Sequence, residues 1–298
     1  MKRLFTLTLA ALLAVQALAQ TQEVLTFTRI DRNPRTAALA GAGAASVSNV
    51  AYASFQNAAT VPFYARRADI AVGYQHWQPA LGAASCFHAG GAYNFGRLGV
   101  TLGWVSQIEQ PDTEGFKPSK LQLNLGAGFA ITPWLSVGLN ARLSRDVLFS
   151  GYALTGFNAD AMVLAAPVKG LTVTAGVANL GNAIKSASGK QFPQPSSLKV
   201  AAAYAITFAE AHTVEAMMDA DYYFNSRAFG VSAGVEYAFR QMVFARVGYR
   251  RASDLAAYPT HLGVGLGVQF FGVRLDVSWL TASPVLGNTL AAGLGFRF

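Results

Sequence analysis

The chain has a single cysteine, Cys86, in 298 residues, which excludes an internal disulfide and a thiolate metal cluster. Charge is also scarce, at 13% of residues against 52% hydrophobic. Yet long apolar runs are missing: past the first twenty residues no stretch of 18 apolar residues occurs, so membrane helices are excluded. No blade-like repeat recurs, which argues against a propeller. The basic residues form no block and do not interleave with aromatics, so nucleic acid is not an expected partner. His76, His88, His212 and His261 have neither metal-ligand spacing nor a triad-like arrangement, so no enzyme, catalytic residue, metal or cofactor is expected. Gly41–Ser46 superficially resembles a dinucleotide loop, but no strand precedes it and no βαβ unit follows.

The amino terminus explains part of the hydrophobicity. Lys2 and Arg3 precede an apolar run from Leu4 to about Val15 and a small-x-small site at Ala17-Leu18-Ala19. Residues 1–19 read as a secretory signal, too short for a permanent span. The formal net charge of +8 falls by two, to +6, when Lys2 and Arg3 leave. Loops facing an anionic outer surface account for that excess.

The carboxyl terminus supplies the organising pattern. Leu290, Ala292, Leu294, Phe296 and Phe298 alternate with Thr289, Ala291, Gly293, Gly295 and Arg297, the period of a strand with one greasy face. Similar alternation continues upstream, and fourteen strands fit between residues 68 and 298. The cleanest spans 120–131, with Leu121, Leu123, Leu125, Ala127, Phe129 and Ile131 against Gln122, Asn124, Gly126 and Gly128. Gly96-Arg97, Thr132-Pro133, Arg240-Gln241 and Phe271-Gly272 mark tight turns, and the alternate connections are generally longer. Unequal turns, apolar dilution at every second residue and 29 glycines predict an all-β protein, a transmembrane antiparallel barrel. It would occupy residues 66–298 and sit in outer-membrane lipid. Leu294, Phe296 and Phe298 then resemble the terminal signal read by the barrel-insertion machinery.

Alternation also assigns faces. In the segment 213–224, Val214, Ala216, Met218, Ala220, Tyr222 and Phe224 point one way, and Glu215, Asp219 and Asp221 the other. Charge at lipid depth is costly, so the acidic row faces the lumen. Glu236, Arg246, Arg250, Arg274, Asp276 and Arg142 join it by the same parity. These charges are expected to pair with one another and hold the wall or a plug; a polar substrate path is the alternative. Residues 20–65 do not alternate and form the predicted plug, with Asp31, Arg32 and Arg35 supplying charges for the lumen and Asn57 beginning an Asn-x-Ala element. A Gly-rich strand between Gly263 and Gly267 either weakens the wall enough for a lateral gap or makes room for the plug, and the second is the favoured expectation.

The succession of NPRTAALAGAGAAS, SFQNAAT, VTAGVANLGNAIKS, FPQPSSLKVAAAYAI, RVGYRR and HLGVGLGVQFFGVRLDVSWL resembles the PorV/PorQ family of Bacteroidetes outer-membrane proteins, relatives of FadL-type transporters of hydrophobic compounds. Its most specific parts are Asn179-Leu180-Gly181, Gly248-Tyr249-Arg250 and the strand containing Asp276; Asn57-Ala58-Ala59 departs from the family's Asn-Pro-Ala. The resemblance implies a FadL-like barrel in the outer membrane of a Gram-negative cell. It also implies a non-enzymatic role in type IX protein secretion and surface attachment, with translocon or sortase proteins and secreted cargo as partners. The short loops favour a PorQ-like accessory over a cargo shuttle, and the alternative is a FadL-like uptake channel for hydrophobic small molecules.

Overall fold

The computed structural model describes residues 23–78, 83–186, 189–254, 256 and 258–298. The signal segment 1–19 therefore lies outside the described residues. Fourteen strands close into one antiparallel barrel, each paired with its sequence neighbour except where two short strands intervene. They are β1 (Ala68–Trp77), β2 (Ala84–Asn94), β3 (Leu98–Ile108), β4 (Ser119–Thr132), β5 (Leu135–Phe149), β6 (Tyr152–Val168) and β7 (Leu171–Gly181). After the small hairpin of β8 (Ile184–Lys185) and β9 (Gln191–Phe192) come β10 (Ser197–Phe208), β11 (His212–Tyr223), β12 (Phe229–Phe239) and β13 (Val243–Ala252). The wall finishes with β14 (His261–Phe270), β15 (Val273–Thr281) and β16 (Thr289–Arg297). Pairing of β1 with β16, in a register that sets Ile70 opposite Phe296, removes both sheet edges.

The alternation does what lipid requires. Along β11, Glu215, Met217, Asp219, Asp221 and Tyr223 are buried, while Ala216, Met218, Ala220 and Tyr222 are exposed. Leu102, Leu125, Leu139, Leu266 and Leu294 continue the outward apolar belt. Two aromatic girdles edge it. Trp104, Tyr222, Tyr249 and Trp279 lie toward the long-loop mouth, and Phe95, Trp134, Phe208, Phe239 and Phe296 toward the short-turn rim. Such belts mark the two membrane interfaces. The short turns use paired left-handed residues: Arg240 and Gln241 have φ of 51° and 55°, and Phe271 and Gly272 have 49° and 83°. These conformations follow the strand twist of two-residue hairpins. By the usual orientation the short-turn rim, which also holds the carboxyl terminus, faces the periplasm.

The lumen is filled by residues 23–64, and 65–67 lead out over the rim to β1. Val24 N–H donates to Pro193 O (3.0 Å) near the outer mouth, while at the inner rim Arg67 N–H reaches Phe298 O (2.9 Å). Between these ends the chain forms one short α-helix, α1 (Pro34–Ala38), and three 3-10 turns at Thr26–Arg29, Ala53–Phe55 and Ala58–Phe63. Asn33 caps α1 by accepting from Arg35 N–H (3.0 Å), with Pro34 in the first turn, where its missing donor costs nothing. Asn57 caps the turn Ala58–Phe63 in the same way, accepting from Ala59 N–H (3.0 Å). Its amide also donates to Ala44 O (2.9 Å) and Thr174 Oγ1 (3.0 Å), tying two plug segments to β7.

The glycine-rich strand opens no gap. β14 is continuously paired with β13 and β15, and Gly263 lies under α1, where a Cβ would stand 2.5 Å from Ala37 O. Close approach of the plug explains that glycine.

The wall is irregular elsewhere. Ala159 pairs with Leu180 and Ala161 with Val177, so Ala178 and Asn179 together oppose Asp160. Asn179 adopts a left-handed φ of 54°, and both bulge residues point inward. Beyond Gly181 the wall between β6 and β10 is completed by the loop carrying β8 and β9. Gln194 spans this stretch, donating to Phe157 O (2.9 Å) and Asn182 O (3.0 Å) and accepting from Asn158 Nδ2 (2.9 Å).

Candidate functional site

The charged side chains of the lumen form chains of alternating sign that run between wall and plug. Arg35, from α1, donates through Nε to Glu236 Oε2 (2.8 Å) and through Nη2 to Glu215 Oε2 (2.9 Å). Ser46 and Ser48 hydroxyls add 2.6 Å and 3.0 Å bonds to Glu215. Arg246 then links Glu236 to Asp276 (2.7 Å to the latter), and Arg274 links Asp276 (2.9 Å) to Asp69 (3.6 Å). Asp69 in turn accepts from the plug amides of Val50 (3.1 Å) and Ala51 (3.3 Å). Glu215, Arg35, Glu236, Arg246, Asp276, Arg274 and Asp69 thus alternate in sign across β11, the plug, β12, β13, β15 and β1.

Asp219 and Asp221 serve two further ties. Asp219 accepts from Gly43 N–H (2.8 Å) and Ala44 N–H (3.2 Å) and lies 3.6 Å from Lys199. Asp221 gathers Lys199 (3.1 Å), Arg250 (3.3 Å) and the plug's Arg29 (3.6 Å), whose guanidinium rests 4.0 Å over the Tyr223 ring. At the bulge, Arg142 pairs with Asp160 and Asn179 and donates to the plug's Phe55 O (3.1 Å). Asp160 also accepts from Asn179 N–H (2.7 Å), which holds the bulge closed.

Of the plug charges singled out from sequence, Arg35 joins this network. Asp31 and Arg32 do not: neither makes an ion pair among the described residues, and Asp31 instead accepts from Asn33 N–H (3.0 Å) and Gln56 Nε2 (3.4 Å). Arg29 takes the pairing role expected of them. Asp69, Asp160 and Lys199, not singled out beforehand, share the inward parity of their strands and were legible on that ground. The bulge was not, because periodicity does not announce a single inserted residue. Leu294 and Phe296 face lipid on β16, and Phe298 follows it at the inner rim.

A cavity of about 70 Å³ remains between plug residues Thr28–Arg32 and the wall, reaching Ala178 and Asn179 at the bulge. Five cationic side chains (Arg29, Arg32, Arg142, Lys199, Arg250) line it with three acids (Asp31, Asp160, Asp221). The histidines do not converge: His88 meets Tyr52 OH (3.1 Å), His212 meets Tyr237 OH (2.6 Å), and His261 meets Pro259 O (2.7 Å). Among the described residues no group of His, Cys, Asp and Glu is arranged to hold a metal.

No protein-family model and no curated protein matches the sequence. Solved structures do match over most of the chain. The toluene transporter TbuX of Ralstonia pickettii superposes with a TM-score of 0.62 at 12% identity, over 89% of this chain and 97% of that one. The monoaromatic hydrocarbon channel CymD gives 0.65 at 12% identity, again over 89% and 97%. A FadL homologue of Pseudomonas aeruginosa gives 0.55 at 12%, over 89% and 95%. The chain therefore has the fold of a FadL-like outer-membrane barrel, with fourteen strands and an N-terminal segment in the lumen.

Proposed function

We propose that this protein is a FadL-like outer-membrane uptake channel for small hydrophobic molecules, gated by its own N-terminal segment. One observation carries the reading: the internal cavity reaches Ala178 and Asn179 at the β6–β7 bulge, directly below the stretch closed by loop side chains instead of a ladder. A wall built that way opens by moving Gln194 and the plug, without breaking a full strand pair. In the seated state the cavity is too small and too polar for an aromatic solute, so passage requires the plug to shift. The neighbours named for toluene and monoaromatic hydrocarbons support this solute class.

The test is uptake of radiolabelled toluene by cells lacking their own channel, with and without this protein. Faster uptake, abolished by deleting Asn179 to straighten β7, is the expected result. Uptake equal to the control in a correctly inserted barrel refutes it.

A second reading retains a PorV/PorQ-like part in type IX secretion and surface attachment in a Bacteroidetes-type outer membrane. The number of plug–wall ties supports it, because a barrel used as a docking platform gains from a permanently seated plug. Gentle-detergent pull-down of the tagged protein distinguishes the two: translocon or sortase subunits are retained in this reading, and the barrel alone in the first.

A further inference from the structure

The short-turn rim carries cations that the chain itself does not answer. Arg66, Arg67, Arg97, Lys169 and Arg240 are all exposed there, and none of them makes an ion pair among the described residues. Glu210 is the single acidic side chain of these turns among the described residues. The carboxylate of Phe298 lies at the same edge, where one of its oxygens accepts from the amides of Arg67 (2.9 Å) and Ala68 (2.9 Å). Five cations therefore meet two anions.

Their depth in the membrane decides what they face. Arg240 directly follows Phe239 of the inner girdle, Arg97 lies two residues after Phe95, and Arg67 is hydrogen-bonded to the residue two beyond Phe296. At about 3.3 Å per strand residue these cations stand roughly 3–7 Å outside the girdle, which is the depth of a headgroup layer. Two guanidiniums also lie along the lipid side of the wall. Arg97 is 5.6 Å from the Phe129 ring centre while donating to Ala130 O (3.2 Å) and Ile131 O (2.7 Å), and Arg240 is 5.3 Å from that of Phe239. Both rings are exposed on the apolar belt.

The turn tip beside Arg240 is apolar. Phe271 is 101% exposed and holds a left-handed φ of 49°, a conformation that costs a bulky residue energy. With Met242, Phe270 and Phe296 it borders a groove of about 820 Å³ that Arg66 and Arg240 also line. Grease and positive charge thus meet in one groove, at the level where acyl chains give way to headgroups.

We propose that this rim binds anionic phospholipid of the inner leaflet, with headgroup phosphates on Arg66, Arg97 and Arg240 and the ends of the acyl chains nearest the headgroup against Phe270 and Phe271. Guanidinium–phosphate bonds are charge-assisted and often bidentate, and a rim with excess cations favours a lipid of net negative charge over a zwitterionic one. The proposal does not rest on the uptake reading, because lipid binding needs no transport.

The full-length protein is reconstituted at low salt in phosphatidylcholine vesicles holding a trace of spin-labelled phosphatidylglycerol or phosphatidylcholine, and electron spin resonance reads the motionally restricted fraction of each. Phosphatidylglycerol should be favoured about twofold or more, and the triple variant Arg66→Gln, Arg97→Gln, Arg240→Gln should bring the two lipids near equality. Lys117→Gln, Lys185→Gln, Lys190→Gln removes the same charge from exposed positions in the long loops and should keep most of the preference. Folding of each variant is read from the mobility of unheated barrel on a denaturing gel. Should the rim triple variant fail to fold, Arg66→Gln with Lys169→Gln is measured in its place and should lower the preference by about a third or more. Equal restriction of both lipids by the parent overturns the proposal and leaves the rim to an acidic periplasmic protein. An unchanged preference in the folded rim variant overturns it, and so does an equal loss in the long-loop variant.

Discussion

Replacing Arg35 with methionine tests whether the charge network seats the plug. The substitution keeps the length and apolar stem of the side chain while deleting its bonds to Glu215, Glu236 and Ser46. Glu236 retains Arg246, but Glu215 is left with only the hydroxyls of Ser46 and Ser48. A buried carboxylate has then lost its cation, and breaking such a pair by removing one partner costs about 3–5 kcal/mol. At about 1.4 kcal/mol per tenfold, the seated plug loses roughly two to three and a half orders of magnitude against its released state. Planar-bilayer recordings should show new or larger openings in R35M, and protease added from the inner side should cut within residues 23–64 faster than in the parent. Adding Glu215→Gln to R35M removes the orphaned charge and should restore most of the loss. If R35M conducts and resists protease like the parent, the ion network is not what holds the plug.

The remaining predictions address space and lipid. Gly263→Leu places a side chain where a Cβ already meets Ala37 O at 2.5 Å, so α1 should be displaced and bilayer conductance should rise while the barrel still migrates as folded. Leu294→Arg puts charge on the lipid face of β16, opposite Val72 and Leu275, and should cost about 2–4 kcal/mol in denaturant unfolding from lipid vesicles if the position lies near mid-membrane.

The barrel was readable because its physics is local. Each strand must present apolar side chains to lipid and small or polar ones to the lumen, and a period of two survives in sequence without any knowledge of partners. The inward placement of Glu215, Asp219, Glu236 and Arg246 followed from parity alone. Which of them meet was not readable. Arg35 reaches Glu215 across 180 positions and Glu236 across 201, and no local pattern encodes a contact of that span. The same holds for the division of labour in the plug, where Arg29 takes a carboxylate and Arg32, three residues later, takes none. The bulge at Asn179 escaped because one inserted residue changes parity for only a few positions before β7 ends at Gly181.

By itself the sequence determined a fourteen-stranded membrane barrel, its lipid and lumen faces and its tight inner turns, since each follows from side-chain alternation and turn chemistry within a few residues. Only the tertiary structure decided that the N-terminal segment runs from the outer mouth to the inner rim, which charges tie it there, and where the wall gives up its ladder. Those outcomes depend on distances between segments far apart in the chain, set when the sheet closes and the lumen acquires a definite width.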